Sequence, residues 1–418
     1  SHLMHSVISG LRDKVGKSAV AVTATTGIAA THIGGSSLHS FAGIGIGEGS
    51  LQDLVKKVNN NRNARKRWHE TKCLIIDEVS MLDAELFDKL EGIAAQVRNS
   101  KKPFGGIQLL LVGDFLQLPP VAKNGKQVKF CFESDAWNKC VDVHVELTKV
   151  FRQSEKEFVD MLNSIRWGVC TPEITTKLRA TMSNKIDGEI SATKLYSRNM
   201  QVDEINSRSL ALLNSQTLKL TASDSGEQPW LDQLKKNCLA PEVLELKVGA
   251  QVMLLKNLDT EMGLINGLRG VVIEFRKIED PEEGRIGTFP VVRFETTSMD
   301  EIEVVIYPED FNVEANGVVI ARRTQVPLRL AYAITIHKCQ GMTLSKVEMS
   351  LKDVFEPGQA YVALSRVSSL DGLRLLDFAP SNVRAHPRVI EFYTKMRNKS
   401  DESKRNNGSR VNPLFIDD

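Results

Sequence analysis

Three stretches in the first third of the chain are continuous apolar runs that end in polar residues. They are AVAVTA (19–24), LIIDE (Leu74 to Glu78) and IQLLLVGD (Ile107 to Asp114). Runs of this kind are typical of parallel strands whose two faces are both buried. Residues 84–98 carry apolar side chains at helical spacing, so a helix separates the second and third strands. This alternation predicts a doubly wound α/β domain over residues 1–149.

A second α/β unit is predicted over residues 150–246 and 323–394. Its strongest segments are LRLAYAITIHKCQGMTL, KVEMSL and GQAYVALSRV. Between its halves, residues 247–322 hold five short strand patterns separated by Gly, Asn, Asp and Pro, which predicts a small inserted β-barrel. Residues 395–418 are polar and aperiodic, which predicts a mobile tail.

Composition limits the class of protein. The 418 residues are 42% hydrophobic and 25% charged, and the formal net charge is +2. These are ordinary values for a water-soluble chain, and no apolar run approaches the ~20 residues of a membrane span. A chain so close to neutral must bind nucleic acid through a local groove. The six cysteines show no Cys-x-x-Cys spacing, which favours a reducing compartment over a zinc site or disulfide framework.

The second strand ends in an acidic pair, Asp77 and Glu78. In a parallel sheet, ligands bind at the carboxyl ends of the strands. Asp77 is suited to anchor Mg²⁺ through a bound water, and Glu78 to deprotonate an attacking water. The alternative is an acidic pair that merely caps a helix.

Further candidates follow other strand patterns. Gln117, in GDFLQLPPV, can bond both a terminal phosphate and a water, although a proline-terminated loop is the plainer interpretation. Arg152, in VFRQ, and Arg366, in YVALSRV, could stabilise a transferring phosphoryl group. A lone arginine is more often part of a surface salt bridge.

One glycine-rich segment, residues 23–45, carries hydroxyl groups, two histidines and Phe41. Hydroxyls and backbone amides bind phosphate oxygens, and an aromatic ring can stack on a base.

The Gly-Lys-Ser at residues 16–18 matches the end of a phosphate-binding signature, but its surroundings do not fit one. Helical spacing precedes it and a strand pattern follows it, the reverse of a phosphate-binding loop, so we expect Lys17 to lie on a helix-to-strand connection.

The order of these motifs carries a resemblance. TATTGIAATHIGG…LHSFAGIG, LIIDEVSMLD, GDFLQLPPV, VFRQ, ITIHKCQGMTL and AYVALSRVSS follow one another as in superfamily 1 helicases. From Ser1 to about Tyr393 the chain closely resembles the Pif1 family of 5′→3′ DNA helicases, and Asp88 to Gln108 resembles that family's own signature. The resemblance implies two RecA-like parallel-sheet domains. It also implies an SH3-like β-barrel inserted at 247–322 and a wedge-like insertion at about 43–70.

The resemblance also assigns roles. It makes Asp77 the Mg²⁺ anchor, Glu78 the general base and Gln117 the γ-phosphate sensor. Arg152 and Arg366 become arginine fingers, and Gly341 belongs to a motif that couples nucleotide to DNA. Gln340 is a natural hydrogen-bond partner at that junction, on a side left open. The residues implied to hold single-stranded DNA are Thr26, Gly27, His39, Phe41, Pro119, His337, Lys338 and Thr343.

Ser1 falls on the last serine of the family's phosphate-binding loop, where it would contact nucleotide and Mg²⁺. We therefore expect the chain as printed to lack the Gly-Thr-Gly-Lys part. Alone, it should bind single-stranded DNA and hydrolyse ATP only at background rate.

The implied activity is ATP-dependent unwinding of duplex or G-quadruplex DNA in genome maintenance, with ATP and Mg²⁺ as cofactors. The implied partners are single-stranded, forked or G-quadruplex DNA, with no membrane. A monomer that can dimerise on DNA is expected, in the nucleus, the mitochondrion or both. Two other classes remain open: a non-hydrolysing single-strand-binding module and a protein-remodelling ATPase.

Overall fold

The computed structural model describes residues 2–121, 129–186, 192–197, 199–226, 228, 230–259, 262–264, 266–280, 285–295, 301–315, 318–337, 339–340, 343–344 and 346–406. Within these ranges no helix has both the length and the apolar character needed to cross a bilayer.

The first lobe is built on a parallel sheet of order β2-β1-β3-β4. Its three longer strands are the three predicted from apolar runs, and α6 is the predicted helix. The elements are α1 (His2–Val15), β1 (Val20–Ala24), α2 (Gly27–His32), β2 (Ser36–Ser37), α3 (Leu38–Ala42), α4 (Leu51–Asn60), α5 (Arg62–Glu70), β3 (Cys73–Asp77), α6 (Ala84–Val97), β4 (Gln108–Leu111) and α7 (Trp137–Cys140).

Two short helices, α4 and α5, fill the predicted insertion and are firmly attached to the lobe. Ser50 and Asp53 form a reciprocal capping box at the start of α4. Trp68 of α5 is fully buried, and its indole Nε1 donates to the Ala42 carbonyl at 3.1 Å. These contacts fix α5 against α3.

The rest of the chain forms a second parallel sheet and an antiparallel unit. Its elements are α8 (Lys156–Arg166), α9 (Pro172–Ala180), β5 (Thr193–Tyr196), α10 (Asn199–Ala211), β6 (Leu218–Thr221), β7 (Ser223–Gly226), α11 (Trp230–Asn237), β8 (Val243–Leu246), β9 (Gln251–Leu254), β10 (Arg269–Asp280), β11 (Arg285–Glu295), β12 (Glu301–Val305), β13 (Glu309–Ala315), β14 (Val318–Gln325), β15 (Leu328–Leu330), β16 (Ala333–Thr335), β17 (Val347–Ser350), α12 (Gln359–Leu364), β18 (Leu373–Asp377) and α13 (Pro387–Asn406).

The second lobe contains the parallel sheet β16-β5-β17-β18, as the sequence predicts. Its core includes Leu118, which reaches across from the first lobe. The two lobes therefore share packing at the loop that follows β4.

The antiparallel unit contains the sheet β12-β11-β10-β9-β15 and the smaller sheets β13-β14-β7 and β6-β8. All five strands predicted between residues 248 and 323 are present, and β13 is an additional one. The antiparallel strands run from Leu218 to Leu330, so they extend beyond the predicted limits of 247–322 on both sides.

The last helix, α13, returns to the first lobe. Val389 and Tyr393 are buried in the first lobe's core, and Phe392 packs against the same core. The sequence predicts a mobile tail from residue 395, but residues 395–406 continue α13. An i,i+4 pair between Glu391 and Lys395 supports this continuation. Residues 407–418 of the predicted tail lie outside the described residues.

Candidate active site between the two lobes

The acidic pair follows β3 in a strained turn. Glu78 has φ 53° and ψ 45°, a left-handed conformation that costs a non-glycine residue about 1–3 kcal/mol. The turn is held by the Asp77 carboxylate, which accepts from the Glu78 amide at 2.8 Å, and by Thr25, whose hydroxyl donates to the Glu78 carbonyl at 2.9 Å. Backbone strain of this kind is concentrated at functional sites.

Burial raises the pKa of both carboxylates, and like charge adds to the effect at Glu78. Burial raises the pKa of Asp77 above its ordinary value. Burial also raises the pKa of Glu78, the negative charge of Asp77 adds to the effect, and the positive charge of Arg366 opposes it. A carboxylate with a raised pKa accepts a proton from water more readily. Glu78 therefore has the electrostatic setting of a general base.

Gln340 joins the two lobes at this point. Its side-chain Nε2 donates to Glu78 Oε2 at 2.9 Å, so Gln340 lies on the side of the acidic pair. The sequence had left that side open. The neighbouring Gly341, like Lys338 and Ser1, lies outside the described residues.

The loop after β4 presents Gln117. Its amide donates to the Asp114 carbonyl at 3.0 Å. Its side-chain Oε1 is buried and has no hydrogen-bond partner within the ranges that the structure describes. A buried polar atom left unsatisfied is rare and points to a missing ligand or water. Gly358 of the second lobe closes on this loop: an added Cβ there would lie 2.4 Å from the Gln117 carbonyl oxygen.

Two predicted arginines converge from the second lobe. Arg366 is only 3% exposed, and its Nε donates to the Val362 carbonyl at 3.0 Å. Arg152 donates through Nε to the Thr343 hydroxyl at 3.0 Å. Burial, with the nearby charge of Arg366, lowers the pKa of Arg152 to about 10. The two guanidinium groups interact electrostatically with each other and with Glu78. Together they form a positively charged site suited to an anion.

The residues predicted to hold single-stranded DNA lie on several different elements of the structure. Thr26 caps α2, since its hydroxyl accepts from the Ala29 amide at 3.2 Å, and Gly27 is exposed beside it. His39 lies on α3, and Pro119 is partly exposed on the loop that carries Gln117. Thr343 is tied to Arg152 and so lies on the arginine side.

The prediction that Phe41 stacks on a base was wrong. Its side chain is 4% exposed, and its ring packs against Trp68 with centroids 5.2 Å apart. Within the part of the chain that the structure describes, this burial leaves no ring face open for a base to stack on. An exposed aromatic that the sequence did not single out, Phe355, is 48% exposed and stacks on His337 at 6.4 Å.

Two further residues were missed. Gln153 lies next to Arg152, and its Nε2 bridges the carbonyls of Ser365 and Val367 at 3.0 and 2.8 Å. Its position directly after Arg152 in VFRQ was the sequence signal that could have identified it. Arg166 binds Asp114, the residue that ends the predicted third strand, and nothing local in the sequence marks that pairing.

Lys17 is exposed on a short helical turn between α1 and β1, which confirms the predicted helix-to-strand connection.

Fold and site together define a two-lobed α/β protein with carboxylates on one lobe facing arginines on the other. The family model described as PIF1-like helicase matches residues 1–176, and the model for the DNA helicase Pif1 2B domain matches residues 229–275. The chain belongs to the PIF1-like helicase family.

Individual relatives agree with this assignment. The ATP-dependent DNA helicase PIF1 of Homo sapiens is 48% identical over 377 residues, 90% of this chain and 57% of the relative. The crystal structure of Pif1 helicase from Candida albicans has a TM-score of 0.81 at 43% identity, covering 94% of this chain and 92% of that one. The Pif1 helicase from Bacteroides in complex with ADP-AlF3 and ssDNA has a TM-score of 0.63 at 29% identity, covering 95% and 91%. The chain spans 57–60% of the length of its first curated relatives.

Proposed function

We propose that this chain is the motor of an ATP-dependent 5′→3′ DNA helicase that translocates on single-stranded DNA. The observation that carries the proposal is the contact of Glu78 with the opposite lobe. Gln340 binds its carboxylate directly, and Arg366 acts on it electrostatically. A base on one RecA-like lobe and anion-stabilising groups on the other are the parts that phosphoryl transfer to water requires.

Each residue of the site has its own role in the proposed hydrolysis. Glu78 takes the proton of the attacking water, since its raised pKa favours proton transfer. Arg152 and Arg366 stabilise negative charge that develops on the transferred group. Gln117 offers its buried Oε1, which has no hydrogen-bond partner among the described residues, to a water or a ligand at the reacting phosphate.

The donor set also fits a divalent cation. Asp77 is a strand-end carboxylate, and one of its oxygens accepts from the Glu78 backbone amide. Its other oxygen would bind a metal-bound water. Oxygen ligands with retained waters are what Mg²⁺ prefers. Mg²⁺ bound with ATP neutralises phosphate charge, and Asp77 is the residue that would hold it.

Single-stranded DNA is the proposed track. Thr26, Gly27, His39, Pro119 and His337 supply hydroxyl, amide and ring contacts that bind the backbone without reading base sequence. The Bacteroides relative bound to a nucleotide analogue and ssDNA supports this use of the fold. ATP bound between the lobes would draw them together and hydrolysis would release them, so that alternating grip produces translocation.

We extend the proposal to the finer features. The antiparallel unit is inferred to be an SH3-like barrel that shapes the DNA channel, and residues 43–70 a wedge. Forked and G-quadruplex DNA are the proposed substrates. A monomer that pairs on DNA, in the nucleus or the mitochondrion, is the proposed state.

The test is ATP hydrolysis with and without single-stranded DNA, in a chain that carries the family's phosphate-binding loop before Ser1. DNA-stimulated hydrolysis with strand separation supports the helicase. Binding to DNA without hydrolysis would instead support the single-strand-binding module. Hydrolysis that does not respond to DNA would support a protein-remodelling ATPase.

A further inference from the structure

Asp114 lies at the carboxyl edge of the first sheet, yet its carboxylate is directed to the second lobe. Arg166, the last residue of α8, donates to it through both Nε and Nη2, at 2.7 and 2.8 Å. Both side chains are more than four-fifths buried. A bidentate arginine–carboxylate pair fixes orientation as well as distance. The pair therefore sets how α8 sits against the first sheet.

The same carboxylate shapes the loop that carries Gln117. Asp114 Oδ1 accepts from the Leu116 amide at 3.1 Å, and the Asp114 carbonyl accepts from the Gln117 amide at 3.0 Å. These two bonds form a tight turn directly before the side chain of Gln117 leaves the loop. Any shift of the Asp114 carboxylate is passed on to Gln117 within three residues.

Helix α13 adds a third set of contacts to Asp114 and its loop. The Tyr393 hydroxyl donates to Asp114 Oδ1 at 3.3 Å and accepts from the Phe115 amide at 3.1 Å. The Arg166 guanidinium lies over the rings of Tyr393 and Trp167, 5.5 and 5.7 Å from their centroids. Such stacking supports a guanidinium that must stay in one plane.

We propose that Arg166, Asp114 and Tyr393 form a positioning unit that couples the placement of the second lobe to the placement of Gln117. These residues do not touch the reacting atoms; they act through the turn at residues 114–117. This proposal rests on the proposed function, because it assigns to Gln117 a nucleotide whose binding the unit controls.

The test compares Arg166→Met, Arg166→Lys and Asp114→Asn in a chain that carries the phosphate-binding loop. Arg166→Met should raise the KM for ATP about tenfold, because coupled contacts of this kind transmit effects of that size. Arg166→Lys should restore part of the loss, since a lysine keeps the charge and loses the fork. Asp114→Asn keeps the acceptor for the Leu116 amide and should raise KM less than Arg166→Met. Affinity for single-stranded DNA without nucleotide should change less than about twofold in all three.

Hydrogen exchange of the Leu116 and Gln117 amides gives a second readout that needs no hydrolysis. Arg166→Met should speed their exchange at least tenfold, while amides in β3 keep their protection. If exchange at these amides is unchanged in Arg166→Met, the positioning unit is refuted, whatever the ATPase assay shows. If exchange responds and the unmutated protein neither binds nor hydrolyses ATP, the unit stands and the proposed function fails.

Discussion

Replacing Gly358 by alanine should weaken the contact between the lobes. Gly358 is buried at φ 81° and ψ −16°, directly before α12. An added Cβ would lie 2.4 Å from the Gln117 carbonyl oxygen and 2.5 Å from that of Leu116. The left-handed conformation costs alanine about 1–2 kcal/mol, and relieving the clash about 1–3 kcal/mol. The free energy of unfolding should therefore fall by about 2–5 kcal/mol.

Urea unfolding followed by tryptophan fluorescence measures this loss, and the ATPase assay measures its effect on turnover. If the lobes separate to relieve the clash, turnover falls, and the free energy of unfolding decreases only by the backbone cost of about 1–2 kcal/mol. Gly10→Ala is a matched control, because Gly10 lies within α1 and no atom of the described residues lies within 4 Å of its would-be Cβ. We expect that variant to be as stable as the parent or slightly more so. A Gly358→Ala protein with unchanged unfolding and unchanged turnover would refute the close approach of the lobes described here.

Three further predictions concern single residues, with turnover measured in a chain carrying the phosphate-binding loop. Glu78→Gln should lower turnover by about 10²–10⁴-fold while ATP and DNA binding persist; near-normal turnover would remove Glu78 from the mechanism. Lys17→Ala should change turnover less than about twofold, and a large loss would place the nucleotide site elsewhere. Phe41→Ala should reduce the free energy of unfolding by about 3–5 kcal/mol, measured by denaturant titration. Phe41→Leu should keep DNA affinity near normal, and a selective loss of DNA binding would restore Phe41 as a stacking residue.

The parallel strands were predictable because burial on both faces requires unbroken apolar runs, and such runs are visible locally. The acidic pair was predictable for the same reason, since it marks the end of one of them. Phe41 was misread because its surroundings in sequence are small and polar, while the group that buries it, Trp68, is 27 positions away. Arg166 was missed because a helical arginine shows nothing of its partner until the two lobes are assembled.

Helix α13 contributes Val389 and Tyr393 to the interior of a lobe whose earlier helices and strands end with α7 at Cys140. A chain emerging from the ribosome therefore cannot finish its first core until nearly all of the second lobe has been made. Domains usually fold as units in the order of synthesis, N-terminal first. Here the first lobe would wait with an open apolar surface, so its maturation depends on the synthesis of α13.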